Sequence, residues 1–110
     1  MRATPQARFR VAVQDGAVVG YAVTGRAGRR GFLQRLAVNP VHRRRGLGRA
    51  LAVDGLRWLR RWRVTRAVVN TPADNHAALA LYDSLGFERE PRGLAVLGAG
   101  LDGDGQEWRW

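Results

Sequence analysis

A chain of 110 residues makes one domain with a single core and no second. With 45% hydrophobic residues, four Trp and three Phe, its composition is globular, not that of a disordered tail. All nineteen basic residues are Arg, the formal net charge is +10, and thirteen Arg between Arg26 and Arg66 face one acid, Asp54. A field this one-sided favours an anionic partner. The lack of Cys excludes a disulfide framework and thiol chemistry of the chain's own. No apolar run approaches the roughly 20 residues of a membrane span. The start, MRATPQARFRV, lacks a secretory apolar stretch, so the cytoplasm is the expected compartment and no membrane partner is expected.

Residues 9–14 alternate as a strand, with Phe9, Val11 and Val13 on one side, and Asp15-Gly16 signals a two-residue hairpin. The return strand spans 17–24. A Gly- and Arg-rich loop over 25–31 leads to a third strand over 32–38, which Pro40 ends. From 47 to 62 the period becomes helical: Leu47, Leu51, Trp58, Leu59 and Trp62 share a face, while Arg49, Val53, Arg57 and Arg60 point largely away. A strand over 66–70 breaks at Thr71-Pro72. Asp74 or Asn75 can cap a second helix that runs to about Leu85 and stops at Gly86. Two short strands, 87–90 and 94–97, follow. Residues 1–97 thus form the domain and 98–110 a Gly/Asp-rich linker and tail. The order predicts an α/β (α+β) fold: a mixed, mainly antiparallel twisted sheet with two main helices and one parallel crossover.

The chemistry is concentrated where the third strand passes into the first helix. There Pro40 halts the strand, Arg43, Arg44 and Arg45 follow, and Gly46 and Gly48 open the helix. First-turn amides have no partner within a helix and lie at the positive end of its dipole, which makes them a site for phosphate. Two Gly let a pyrophosphate approach that backbone.

Arg43-x-x-Gly46-x-Gly48 resembles the acyl-CoA-binding signature of the GCN5-related N-acetyltransferases. Asn75-x-x-Ala78-x-x-Leu81-Tyr82-x-x-Leu85-Gly86-Phe87 resembles that family's second recurrent segment, at the expected spacing. The resemblance covers residues 9–97 and implies an acyl-CoA N-acyltransferase-like fold, N-terminally shortened by a strand and two helices. It also implies acetyl-CoA as acyl donor, an amine as acceptor, and no metal. By the same resemblance the amides of Arg45, Gly46, Leu47, Gly48, Arg49 and Ala50 hold the pyrophosphate, with Arg43 and Arg44 adding charge. The main chains of Leu36 and Val38 line the pantetheine arm, and the Val38 N–H polarises the thioester carbonyl. The strand of Leu36 splays from that of Val69 to admit the cofactor. Asn75 binds pantetheine or fixes its loop, and Tyr82 protonates the departing thiolate. On spacing alone, Tyr82 beside Leu79 and Leu85 also suits a core position.

Two departures accompany the match. The elements that form much of the family's acceptor wall precede Phe9, so apolar sheet surface is left open and self-association is expected. Where many relatives carry a Glu base, this chain reads Val69-Asn70-Thr71. Asn70 cannot take a proton but can hold a water. His42 is an alternative but sits beside the pyrophosphate loop, and His76 is exposed at the start of its helix, so no general base is named. A nucleic-acid-binding module leaves the Gly pair unexplained and is set aside. A non-catalytic acetyl-CoA-binding domain, or an incomplete fragment of a larger acetyltransferase, is the remaining alternative.

Overall fold

The computed structural model describes residues 6–42, 46–89 and 96–101. β1 (Gln6–Gln14) and β2 (Ala17–Ala27) pair antiparallel around Asp15 and Gly16, whose φ values of 51° and 80° suit a tight hairpin. β3 (Arg30–Val38) returns beside β2 after a turn of only Gly28 and Arg29. The expected loop over 25–31 is therefore corrected to strand at both ends. Of its three glycines only Gly28 has positive φ, 60°. Gly25 and Gly31 sit where a neighbour fills the side-chain space. A Cβ at Gly25 would lie 2.6 Å from the Gln34 amide nitrogen, and one at Gly31 2.6 Å from Leu59 Cδ1.

β4 (Arg66–Asn70) runs parallel to β3, β6 (Val96–Gly100) runs antiparallel to β4, and β5 (Glu88–Arg89) runs antiparallel to β6. The six-stranded order is β1-β2-β3-β4-β6-β5. α1 (Leu47–Arg61) connects β3 to β4, and α2 (His76–Ser84) connects β4 to β5, which is parallel to it. Right-handed crossovers advancing in one direction put both helices on the same sheet face. One core accordingly joins Leu33, Val69 and Leu97 of the sheet to Leu56 and Leu59 of α1 and to Tyr82, Leu85 and Phe87 at α2.

Val53 is fully buried, which corrects the expectation that it points away. α2 flanks α1, as the 3.0 Å bond from Arg49 Nη1 to Ser84 Oγ shows, so α1 is covered beyond the stripe that faces the sheet. Trp62, expected on the buried face, is 53% exposed, with the Arg26 guanidinium 4.2 Å above its ring. Asp54, the lone acid amid the thirteen Arg, is held by β1: Arg8 Nη1 donates to its Oδ2 at 2.7 Å, and Arg10 Nε lies 3.4 Å away.

The domain boundary at 97 also needs correction. Gly98 to Gly100 belong to β6 and pair with β4, and Leu101 is 1% exposed. Leu97, Ala99 and Leu101 alternate into the core, a strand period masked in the sequence by the intervening glycines. The sheet face opposite the helices stays open around Phe9, Val11, Val13 and Val18, all at least 46% exposed. Among the described residues no helix is long and apolar enough to cross a membrane.

Candidate functional site: a splayed strand pair beside a helix start

Parallel pairing between β3 and β4 stops at Leu33 and Val69, although β3 continues to Val38. The strands part beyond that point, and a cleft of about 320 Å³ opens between them. Asn39 N–H donates to Val19 O at 2.8 Å. Antiparallel alternation therefore turns the main chains of Ala37 and Arg35 toward β2, and those of Leu36 and Val38 toward the gap.

A bulge shapes the other wall. Thr24 pairs with Leu33 and Val23 with Arg35, so Gln34 is an extra residue on β3. Val23 lies on the open sheet face, since its neighbour Thr24 packs under α1 against Gly55. The bulge thereby sets Gln34 and Arg35 together on the open face, with the Gln34 amide lying over Gly25. The cleft is a slot through the sheet. Leu36, Ala78 and Tyr82 line it on the helix side, and Tyr21, Gln34 and Arg35 on the other.

α2 brings two expected residues to this slot. Asn75 is the N-cap and its Oδ1 accepts from Ala78 N–H at 3.1 Å, so capping and cleft lining coexist in one side chain. Tyr82 is 5% exposed, packs edge-on against Phe87 at 5.6 Å between ring centroids, and borders the cleft. Burial pushes its phenol above the ordinary value, so it remains protonated at neutral pH. Gly86, with φ 92°, ends the helix and lets Phe87 N–H return to Tyr82 O at 3.0 Å.

The helix start is the second part of the site. Gly46 takes φ 78°, which L side chains rarely adopt, and its carbonyl accepts from Ala50 N–H at 2.9 Å. The Ala50 amide is thus committed to the helix. The first turn of α1, from Leu47 on, is where a helix leaves amides without an internal acceptor. A Cβ on Gly48 would lie 3.7 Å from Leu81 and 3.9 Å from Val38, so this turn packs against both the end of β3 and α2. Arg43, Arg44 and Arg45, expected to add positive charge here, lie outside the described residues.

Sequence reasoning missed Tyr21, Gln34, Arg35 and Pro72 as cleft residues. The signal for Gln34 and Arg35 is a bulge, which does not interrupt the apolar alternation enough to be read. His42 ends a 3-10 turn at Pro40–His42 and His76 is exposed; neither borders the cleft. Among the described residues no three or more His, Asp or Glu converge as metal ligands.

A mixed sheet splayed beside a Gly-opened helix is the acyl-CoA N-acyltransferase-like fold, and the residues present fit such a donor. The slot takes a narrow arm, and the amide-rich turn with its two glycines leaves room for a pyrophosphate. The chain belongs to the Acetyltransferase (GNAT) family, whose model matches residues 1–87. It is similar to a mycothiol acetyltransferase of Amycolatopsis mediterranei, 38% identical over 90 residues, covering 74% of this chain and 30% of that one. The ribosomal-protein-bS18-alanine N-acetyltransferase of Escherichia coli is 38% identical over 74 residues, covering 67% of this chain and 50% of its own. The crystal structure of that Escherichia coli enzyme superposes with a TM-score of 0.77 at 26% identity, covering 94% of this chain and 75% of that chain. The PaiA N-acetyltransferase of Thermoplasma acidophilum, in complex with coenzyme A, shares the fold at a TM-score of 0.79 and 16% identity, over 86% and 60% of the two chains. The chain spans half or less of the length of these two sequence relatives.

Proposed function

We propose that this chain binds acetyl-CoA and moves its acetyl group to an amine, which attacks the donor directly. The observation that best supports the reading is the slot between β3 and β4, lined by Leu36, Asn75 and Tyr82 and set beside the Gly46–Gly48 turn. When bound, the donor supplies an acyl group activated as a thioester. The first-turn amides from Leu47 on, with Arg43 to Arg45 just before them in the sequence, hold its diphosphate. The main chains of Leu36 and Val38 orient its arm, and the Val38 N–H stabilises negative charge at the acyl oxygen. Tyr82 gives its proton to the leaving sulfur.

No acid is among the cleft-lining described residues, so no side chain there serves as a carboxylate base. Exposed Asn70 can order a water that carries the amine's proton outward. The relatives' names cover two acceptors, mycothiol and the alanine of a ribosomal protein. The motifs that carry the family resemblance, Arg43 to Gly48 and Asn75 to Phe87, are assigned to the donor, so they do not choose between these acceptors.

The same lack of an acid, with the open sheet face, favours one other reading: a domain that binds acetyl-CoA without transferring it. Thiol release measured with a panel of amines separates the two. Amine-dependent release supports transfer, and firm acetyl-CoA binding without release supports the second reading. The open face also supports self-association, in which a second copy covers Phe9, Val11 and Val13. A monomer at micromolar concentration by light scattering contradicts that. A cytoplasmic location, where acetyl-CoA is supplied, belongs to the same reading.

A further inference from the structure

The slot has two ends with different chemistry. The helix start that receives a diphosphate lies on the helix-bearing face, so the donor fills the side of Leu36, Ala78 and Tyr82. An acceptor must then reach the acyl carbon from the open face, past Tyr21, Gln34 and Arg35. Gln34 lies over Gly25, where its amide nitrogen stands 2.6 Å from the position of a Cβ. Arg35 is exposed, and among the described residues its guanidinium has no hydrogen-bond or ion-pair partner. The described acids are Asp15, Asp54, Asp74, Asp83 and Glu88, and none borders the slot. An amine that stays cationic therefore finds a guanidinium at the entrance and, among the described residues, no carboxylate. An amine that carries its own anionic group finds a fork-shaped donor matched to it.

Resting on the proposed acetyl transfer, we infer that the acceptor is an amine bearing a carboxylate or phosphate close to the nitrogen, and that Arg35, set by the β3 bulge, binds that anion. Two consequences follow from charge alone. Pairing at Arg35 fixes the amine end relative to the slot, which acts as orientation. A positive surround also lowers the basicity of a nearby amine, so more of it arrives neutral without a protein carboxylate. Arg35 is thus a specificity-determining residue that need not touch the reacting atoms.

The test uses probes that differ only in charge. Ala-Glu-Ala amide, Ala-Gln-Ala amide and Ala-Lys-Ala amide form a peptide set, and β-alanine with β-alaninamide a small-amine set. kcat/KM is measured with acetyl-CoA. The affinity of each N-acetylated probe is measured separately by calorimetry on protein saturated with CoA. The acidic member of at least one set should be preferred by about tenfold in both readouts, the size of one partly exposed charge-assisted contact. Which set shows it tells a peptide from a small amine. Arg35→Gln should bring the ratio to about one, Arg35→Lys should keep most of it, and Arg35→Glu should turn the preference toward the Lys peptide. A ratio near one in both sets overturns the inference, as does a preference that survives Arg35→Gln. Probe binding undetected in both sets also overturns it. Charge-selective binding without thiol release would instead remove the transfer reading and leave Arg35's role standing.

Discussion

Replacing Tyr82 by Phe tests the chemistry assigned to the slot, because it removes one oxygen and keeps the ring. The side chain is 5% exposed and edge-on to Phe87, so Phe fills the same volume and the loss of stability should stay below about 1 kcal/mol. The lost proton donor should lower kcat about a hundredfold, the lower end for general acid catalysis. That is ~2.7 kcal/mol of barrier. Acetyl-CoA affinity by calorimetry should be unchanged, since the assigned role begins at sulfur departure. The assay is CoA release followed with a thiol reagent under saturating acetyl-CoA. Unchanged turnover, or a fall matched by equal loss of acetyl-CoA binding, would refute the donor role and return Tyr82 to the core.

The same phenol makes a pH prediction. Its value is raised in the fold by burial, so above pH 10 the unfolded chain loses this proton before the native one does. The unfolded state then binds fewer protons, and stability falls as pH rises from about 10 through the raised folded value; denaturant melts of Tyr82→Phe should lack this component. Truncation after Leu97 should abolish cooperative folding, because β6 supplies the partner of β4; Leu101→Ala should cost about 2–4 kcal/mol by urea melt. Gly55→Ala should destabilise by about 1 kcal/mol. A Cβ there would stand 2.5 Å from Thr24 Oγ1, and the strain of overpacking exceeds the ~1 kcal/mol gain in helix propensity. Arg26→Ala should cost roughly 0.5–1 kcal/mol and alter Trp62 fluorescence, since it removes the guanidinium stacked on that exposed ring.

The element order and the elements that carry both halves of the candidate site were legible in the sequence because they rest on local signals. Asp15-Gly16 takes the turn conformation its residue types favour, and Gly46 takes a conformation that favours glycine. Asn75 caps its helix with the side chain the pattern assigns to it. What failed depends on tertiary packing. Gly25, Gly31 and Gly98 read as loop residues because glycine usually breaks structure. Here the first two admit Gln34 and Leu59 against the backbone, and the third continues a strand whose alternate residues are buried. Val53 turned inward because α2 lies beside α1, and a helical wheel drawn for one neighbour cannot show a second. The bulge at Gln34 is a register event between two strands, so Arg35's position at the slot could not be read from β3 alone.

A diphosphate-bearing donor should dock on the turn that opens α1. Calorimetric titration with acetyl-CoA, repeated on Gly48→Glu, tests it most directly. A Cβ at Gly48 meets only ordinary contacts, at 3.7 Å from Leu81 and 3.9 Å from Val38, and an acid in the first turn suits the helix dipole. The variant should therefore stay folded while its carboxylate repels the diphosphate. Saturable binding is expected of the unmutated chain and none of Gly48→Glu. Equal binding by both, or none by the unmutated chain, would contradict it.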